Sequence, residues 1–82
     1  MTKLEEKLLQ LGYRGWFIER DRASYYTKVI DEVEIAISIA NNKVGYCDVA
    51  PRRNIFKQSQ IDNIQQAFNQ LQKDLEVLKD ES

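Results

Sequence analysis

The stretch VEIAISIANNKVGYCDV, residues 33–49, reads as two strands folded back on each other. Val33, Ile35, Ile37 and Ile39 alternate with Glu34, Ala36, Ser38 and Ala40 at the period of two that a half-buried strand requires. Asn41-Asn42 then makes a two-residue turn, because asparagine tolerates positive φ better than most residues. A turn of that length sets Ala40 opposite Lys43, Ile39 opposite Val44, Ile37 opposite Tyr46 and Ala36 opposite Cys47. One face of the hairpin is then apolar and large. The other consists of Ala36, Ser38, Ala40, Gly45 and Cys47, whose side chains are all small. A slip of one residue would put Ile37 and Tyr46 on opposite faces, so the hydrophobic pattern and the turn support the same register.

The period of two extends backwards from this hairpin. RGWFIER (14–20) and SYYTKVI (24–30) are rich in aromatic and β-branched residues and predict two further strands. Asp31-Glu32 is a poor sequence for a tight hairpin turn, and Tyr25 and Tyr26 compete for the inward position. Before the strands, Leu4, Leu8 and Leu11 share one helical face, and Thr2 and Glu5 have the spacing of a capping box. Gly12 is placed to end that helix in a left-handed conformation, with Tyr13 folding back onto Leu8.

After the strands, residues 50–57, APRRNIFK, predict a loop. Ser59 and Asp62 have the spacing to open a second helix, and Ile61, Ile64, Phe68, Leu71, Leu75 and Leu78 form its stripe. That stripe matches the Val/Ile face of the sheet, with Gln65, Ala67, Gln72 and Asp74 at its flanks. The predicted architecture is an α+β fold of order α-β-β-β-β-α, a four-stranded antiparallel meander with both helices on one face, as a single domain over residues 1–82. A helix of roughly 20 residues is longer than a seven-residue strand. Its end, carrying Leu75, Val77 and Leu78, is therefore expected to overhang the sheet, covered by the first helix or by a second copy of the protein.

Composition removes most catalytic chemistry. The chain has no histidine, which takes away the commonest general base, the commonest metal ligand and the Ser/His and Cys/His nucleophile pairs. One cysteine cannot build a cysteine-rich zinc site, and Gly12, Gly15 and Gly45 lack the spacing of a phosphate-binding loop. Asp31, Glu32 and Glu34 crowd one turn, where solvation is the expected state of their carboxylates. The reading is of a non-enzymatic binding module without cofactor, metal or small-molecule substrate. A single cysteine, opening residues without the apolar core of a secretory leader, and no apolar run of about 20 residues predict a reducing, cytoplasmic setting away from the membrane.

Two binding surfaces are candidates. The first is the small-residue face of Ala36, Ser38, Ala40, Gly45 and Cys47. Exposed sheet faces usually carry bulkier polar side chains. Either Trp16, Phe17 or a tyrosine lies over these positions, or another surface approaches closely: a partner protein or a second copy. Cys47 reads there as a quiet small hydrophobe. The second candidate is basic. Arg20 and Arg22 fall between the first two strands, and Arg52, Arg53 and Lys57 before the second helix, close to aromatic residues. Arginines beside aromatics can hold phosphates and stack bases. Nucleic-acid binding through these five residues is therefore the alternative, set against a net charge of −1.

In outline the α-β-β-β-α order with an extra strand resembles a double-stranded-RNA-binding domain. That family opens its last helix with a lysine cluster, represented here by Lys57 alone before QSQIDN, and the family's glycine-proline-histidine loop is not found. In size and texture the chain is similar to the small, charged, single-domain proteins encoded in prophages of Gram-positive bacteria. That resemblance implies a short protein that acts by binding a host or phage macromolecule.

Overall fold

The computed structural model describes residues 2–52 and 58–79. Helix α1 (Lys3–Gln10) is followed by strands β1 (Arg14–Ile18), β2 (Ala23–Ile30), β3 (Val33–Ala40) and β4 (Lys43–Pro51), then by helix α2 (Gln58–Lys79). The strands form one antiparallel meander in the order β1-β2-β3-β4. The fold class and element order are those expected. No helix among the described residues is long and apolar enough to cross a membrane.

Local chemistry sets the element ends. Thr2 Oγ1 accepts the Glu5 N–H at 3.2 Å, capping α1. Gly12, at φ +96°, terminates it: the Gly12 N–H donates to Leu9 O and the Tyr13 N–H to Leu8 O, the paired bonds that close a helix through a left-handed residue. Asn41 and Asn42 both have positive φ and make the expected two-residue turn. Asp31 and Glu32 do the same (φ 49° and 65°) although the pair is a poor primed-turn sequence, because Ile30 and Val33 are held opposite each other by seven cross-strand pairs between β2 and β3. Ser59 lies inside α2 rather than capping it.

Val33, Ile35, Ile37 and Ile39 are buried at 1%, 0%, 0% and 4% exposure beneath the helices, as the alternation requires. Leu4 and Leu8 of α1 and Ala67, Leu71 and Leu78 of α2 join them in one cluster, so both helices lie on the same face of the sheet. On β2 the inward tyrosine is Tyr26, opposite Ile37; Tyr25 points the other way, opposite Ser38. The Tyr26 ring lies over Gly15 of β1, where any Cβ would overlap it, which explains a glycine in mid-strand.

Two features depart from the sequence reading. First, α2 is rotated. The buried line runs Ala67, Leu71, Asp74 and Leu78, while Ile61 and Phe68 remain 57% and 46% exposed. Ala67 lets the helix approach the sheet closely. Asp74, a residue expected at the flank, sits at the centre because three donors converge on it. Lys28 Nζ and Tyr13 Oη both reach Asp74 Oδ2 at 2.8 Å, and Gln70 Nε2 reaches Oδ1 at 3.0 Å. Lys28 also donates to Leu11 O at 3.1 Å and lies over the Tyr13 ring. At the end of α2, Leu78 is covered in the cluster that α1 shares and Leu75 packs partly against it, while Val77 stays 37% exposed.

Second, β4 carries a bulge. Ile39 pairs with Val44 but Ile37 pairs with Cys47, so Ser38 stands opposite both Gly45 and Tyr46. The Tyr46 N–H donates to Ser38 Oγ at 2.6 Å. The extra residue inverts the facing of everything after it. Without it, Asp48 would enter the core and Val49 would leave it; with it, Val44, Cys47 and Val49 all pack against the core cluster. The expected pairs Ile37–Tyr46 and Ala36–Cys47 are therefore replaced by Ile37–Cys47 and Ala36–Asp48.

Burial, followed by a hydrogen bond to Glu5, pushes the Tyr26 phenol up to about 12. Burial and the hydrogen bond to Asp74 push that of Tyr13 up as well. Both groups start from about 10 in the unfolded chain, so folding favours their neutral forms. The stability they contribute is fully present below about pH 10, and the part due to Tyr26 is lost as the pH rises towards about 12. Urea unfolding between pH 9 and 12 is expected to show stability falling above pH 10, with a shallower fall for Tyr26→Phe. An unchanged midpoint across that range would contradict the burial of these phenols.

Candidate functional site

The helices cover one face of the sheet and leave the other bare. Cross-strand partners share a face, so the register assigns this outer surface residue by residue. Its central row runs Trp16, Tyr25, Ser38, then Gly45 and Tyr46 at the bulge. The next row runs Arg14, Thr27, Ala36 and Asp48. Ala40 and Lys43 lie beyond the central row on one side, Glu34 and Ala50 on the other.

Four of the five small residues expected on this surface are there: Ala36, Ser38, Ala40 and Gly45. Cys47 is not. The bulge turns it to the helix side, where it is half-buried, and burial pushes its thiol up. At Gly45 a Cβ would meet Ser38 Oγ at 3.2 Å, a tight contact with the hydroxyl that already accepts the Tyr46 N–H.

The small floor is partly walled by aromatics. Ser38 is only 9% exposed between its cross-strand neighbours Tyr25 and Tyr46. The Trp16 and Tyr25 ring centroids are 6.3 Å apart at an interplanar angle of 28°. Tyr25 Oη donates to Asp21 at 3.1 Å, and this bond is the main reason its phenol is raised. Trp16 and Tyr46 are not used up in this way. They remain 50% and 59% exposed at the two ends of the central row, with Tyr25 and Ser38 between them. Along the central row the stacked Trp16–Tyr25 pair therefore stands on one side of Ser38 and Tyr46 on the other. No charged side chain occupies the central row. Arg14, Glu34, Lys43 and Asp48 surround it with two charges of each sign.

Among the described residues the basic candidates do not converge. Arg20 and Arg22 sit exposed in the β1–β2 turn, with Arg20 Nε 3.4 Å from Asp21 Oδ1. Arg52 follows β4 beside the β2–β3 turn, its N–H donating to Glu32 O at 2.9 Å. Antiparallel order puts these two turns at opposite ends of the sheet, about 26 Å apart for eight residues at roughly 3.3 Å each. Arg53 and Lys57 lie outside the described residues.

A second concavity lies between β4 and α2. Val49, Cys47, Ile64, Phe68 and Leu75 line an apolar groove of about 450 Å³. The rotation of α2 opens it by leaving Phe68 at the rim. Comparison of the chain with protein-family models, curated proteins and solved structures finds no match in any of the three.

The position of Cys47 has a direct chemical readout. Its thiol is raised by burial and faces apolar side chains, so its reactive thiolate is scarce in the folded protein. Alkylation by iodoacetamide at pH 8 is expected to be at least about tenfold slower in buffer than in 8 M urea. Equal rates would place Cys47 on the open face and remove the bulge.

Proposed function

We propose that this domain works by binding another protein surface against the outer face of its sheet. The observation that carries the reading is the placement of Trp16 and Tyr46, two large aromatics held half-exposed at the two ends of an uncharged row that runs through Tyr25 and Ser38. Protein interfaces have this anatomy: an aromatic core poor in charge, ringed by polar groups, with most of the energy in a few anchors. A rigid sheet holds the two rings in fixed positions, so little conformational freedom is lost on binding.

The surface suits a flat partner better than a small molecule, which needs a concave site that buries most of it. The nucleic-acid alternative has less support. Phosphate binding needs a net positive field, whereas charges of both signs balance around this face and Arg20 and Arg52 stand at opposite ends of the sheet.

The test is capture by the immobilised domain, wild type against Trp16→Ala/Tyr46→Ala, with and without nuclease. Neither side chain is in the core, so the double variant is expected to keep its far-UV circular dichroism. It is expected to lose at least about tenfold in partner affinity, the scale of two interface anchors. Capture that survives the double substitution, or that nuclease abolishes, would remove this reading.

A further inference from the structure

We infer that the occupant of the outer sheet face is a second copy of the same face, related by a two-fold axis running along the strands between β2 and β3. This rests on the reading above, that the face binds protein, and names the partner.

The face is complementary to itself. A two-fold axis parallel to the strands keeps each cross-strand row at its own level and exchanges its ends. The row Arg14–Thr27–Ala36–Asp48 is thereby laid on itself in reverse. Arg14 of one copy meets Asp48 of the other, twice. Both side chains are exposed, and among the described residues neither is ion-paired within its own chain. The central row behaves in the same way. Trp16 of one copy comes over Gly45 and Tyr46 of the other, where a missing side chain gives the indole room, and Tyr25 comes over Ser38. Tyr25 meets the small Ser38, Trp16 meets Gly45 with Tyr46 as an unlike aromatic beside it, and opposite charges meet in the neighbouring row.

The other in-plane axis, perpendicular to the strands, gives a poorer fit. It would set Trp16 on Trp16 and Tyr46 on Tyr46, stacking bulk on bulk and leaving the floor empty. Edge pairing through β4 is also disfavoured, since the bulge at Gly45 and Tyr46 interrupts the ladder that an added strand would extend.

The available area fits a dimer of moderate strength. Four strands about 4.8 Å apart, five to nine residues long, give a face of at most about 19 by 26 Å. Pairing two such faces buries on the order of 1,000 Å², the lower end of specific interfaces, for which a micromolar dissociation constant is expected.

The chain contains a single tryptophan, and it lies in the proposed contact, so its fluorescence reports coverage of this face without a label. The experiment combines light scattering after gel filtration with Trp16 emission and acrylamide quenching, from about 1 µM to about 1 mM, a range that brackets such a constant. Four proteins are compared: wild type, Arg14→Asp, Asp48→Arg and the charge-swapped double variant. The wild type is expected to pass from monomer to dimer, with emission shifting to the blue and quenching falling over the same range. Each single reversal is expected to weaken the dimer at least tenfold and the double variant to restore it.

A wild type that stays monomeric with constant Trp16 emission at the highest concentration overturns the inference. So does a dimer whose Trp16 emission never changes, since it uses another surface. So does a double variant no better than either single one. In each of these cases the broader reading is judged separately, by whether Trp16→Ala/Tyr46→Ala still abolishes capture of a different protein.

Discussion

The carboxylate of Asp74 sits in the helix–sheet interface, and its partners come from two other parts of the fold and from its own helix. Lys28 approaches from β2, Tyr13 from the turn after α1, and Gln70 from the preceding turn of α2 itself. Lys28 binds the last turn of α1 as well, through Leu11 O. Placing two charges in a mostly apolar interface is costly unless each is met by the other and by further hydrogen bonds. Here they are: no buried side-chain nitrogen or oxygen among the described residues is left without a partner. Only one rotation of α2 about its own axis achieves this. That rotation puts Ala67 and Leu71 on the sheet, leaves Ile61 and Phe68 towards solvent, and opens the groove beside β4. An apolar stripe alone would tolerate several rotations; a charged pair with fixed donors selects one.

The same geometry explains why the outer face is bare. Both helices are committed to the Val/Ile side, α2 by Asp74 and α1 by Leu4, Leu8 and the Lys28 bond. Among the described residues, nothing remains to cross the other side of the sheet. Its surface is then set by the strands alone, and β4 decides its character. By inserting one residue opposite Ser38, the bulge sends Asp48 outward to the rim and draws Cys47 inward. A charged rim around an aromatic and small-residue centre is the outcome.

Much of this was legible in the residues. The unbroken alternation of Val33 to Ala40, the Asn-Asn turn, the Thr2 cap and Gly12 each carry a local signal with a single physical meaning, and each stands where expected. The features that were not legible depend on distant partners. Asp74 looks like an ordinary flanking acid until Lys28 and Tyr13 are brought beside it, 46 and 61 residues away in sequence. Tyr25 and Tyr26 are alike locally, and only the β2–β3 register separates them. The bulge did leave a trace. Val44, Cys47 and Val49 break the period of two by one residue, with glycine at the break, and an unbroken strand would have buried Asp48. Small residues at positions 36, 38, 40 and 45 marked the outer face correctly, whereas its exposed aromatics, Trp16 and Tyr46, depend on the register of β1 and on the bulge, which have no local signal in these two residues themselves.

The measurement that bears most directly on this account is a double-mutant cycle between Lys28 and Asp74. Urea unfolding of the wild type, Lys28→Met, Asp74→Leu and the double variant, all in one sulfate-stabilised buffer, gives the coupling between the two positions. If the pair sets the helix, each single change leaves a charge stranded in the interface and costs about 3–5 kcal/mol, while the double variant recovers most of the loss. Single effects that add to within about 0.5 kcal/mol would show two independent positions. In that case the rotation of α2, and the surfaces that follow from it, would need another cause.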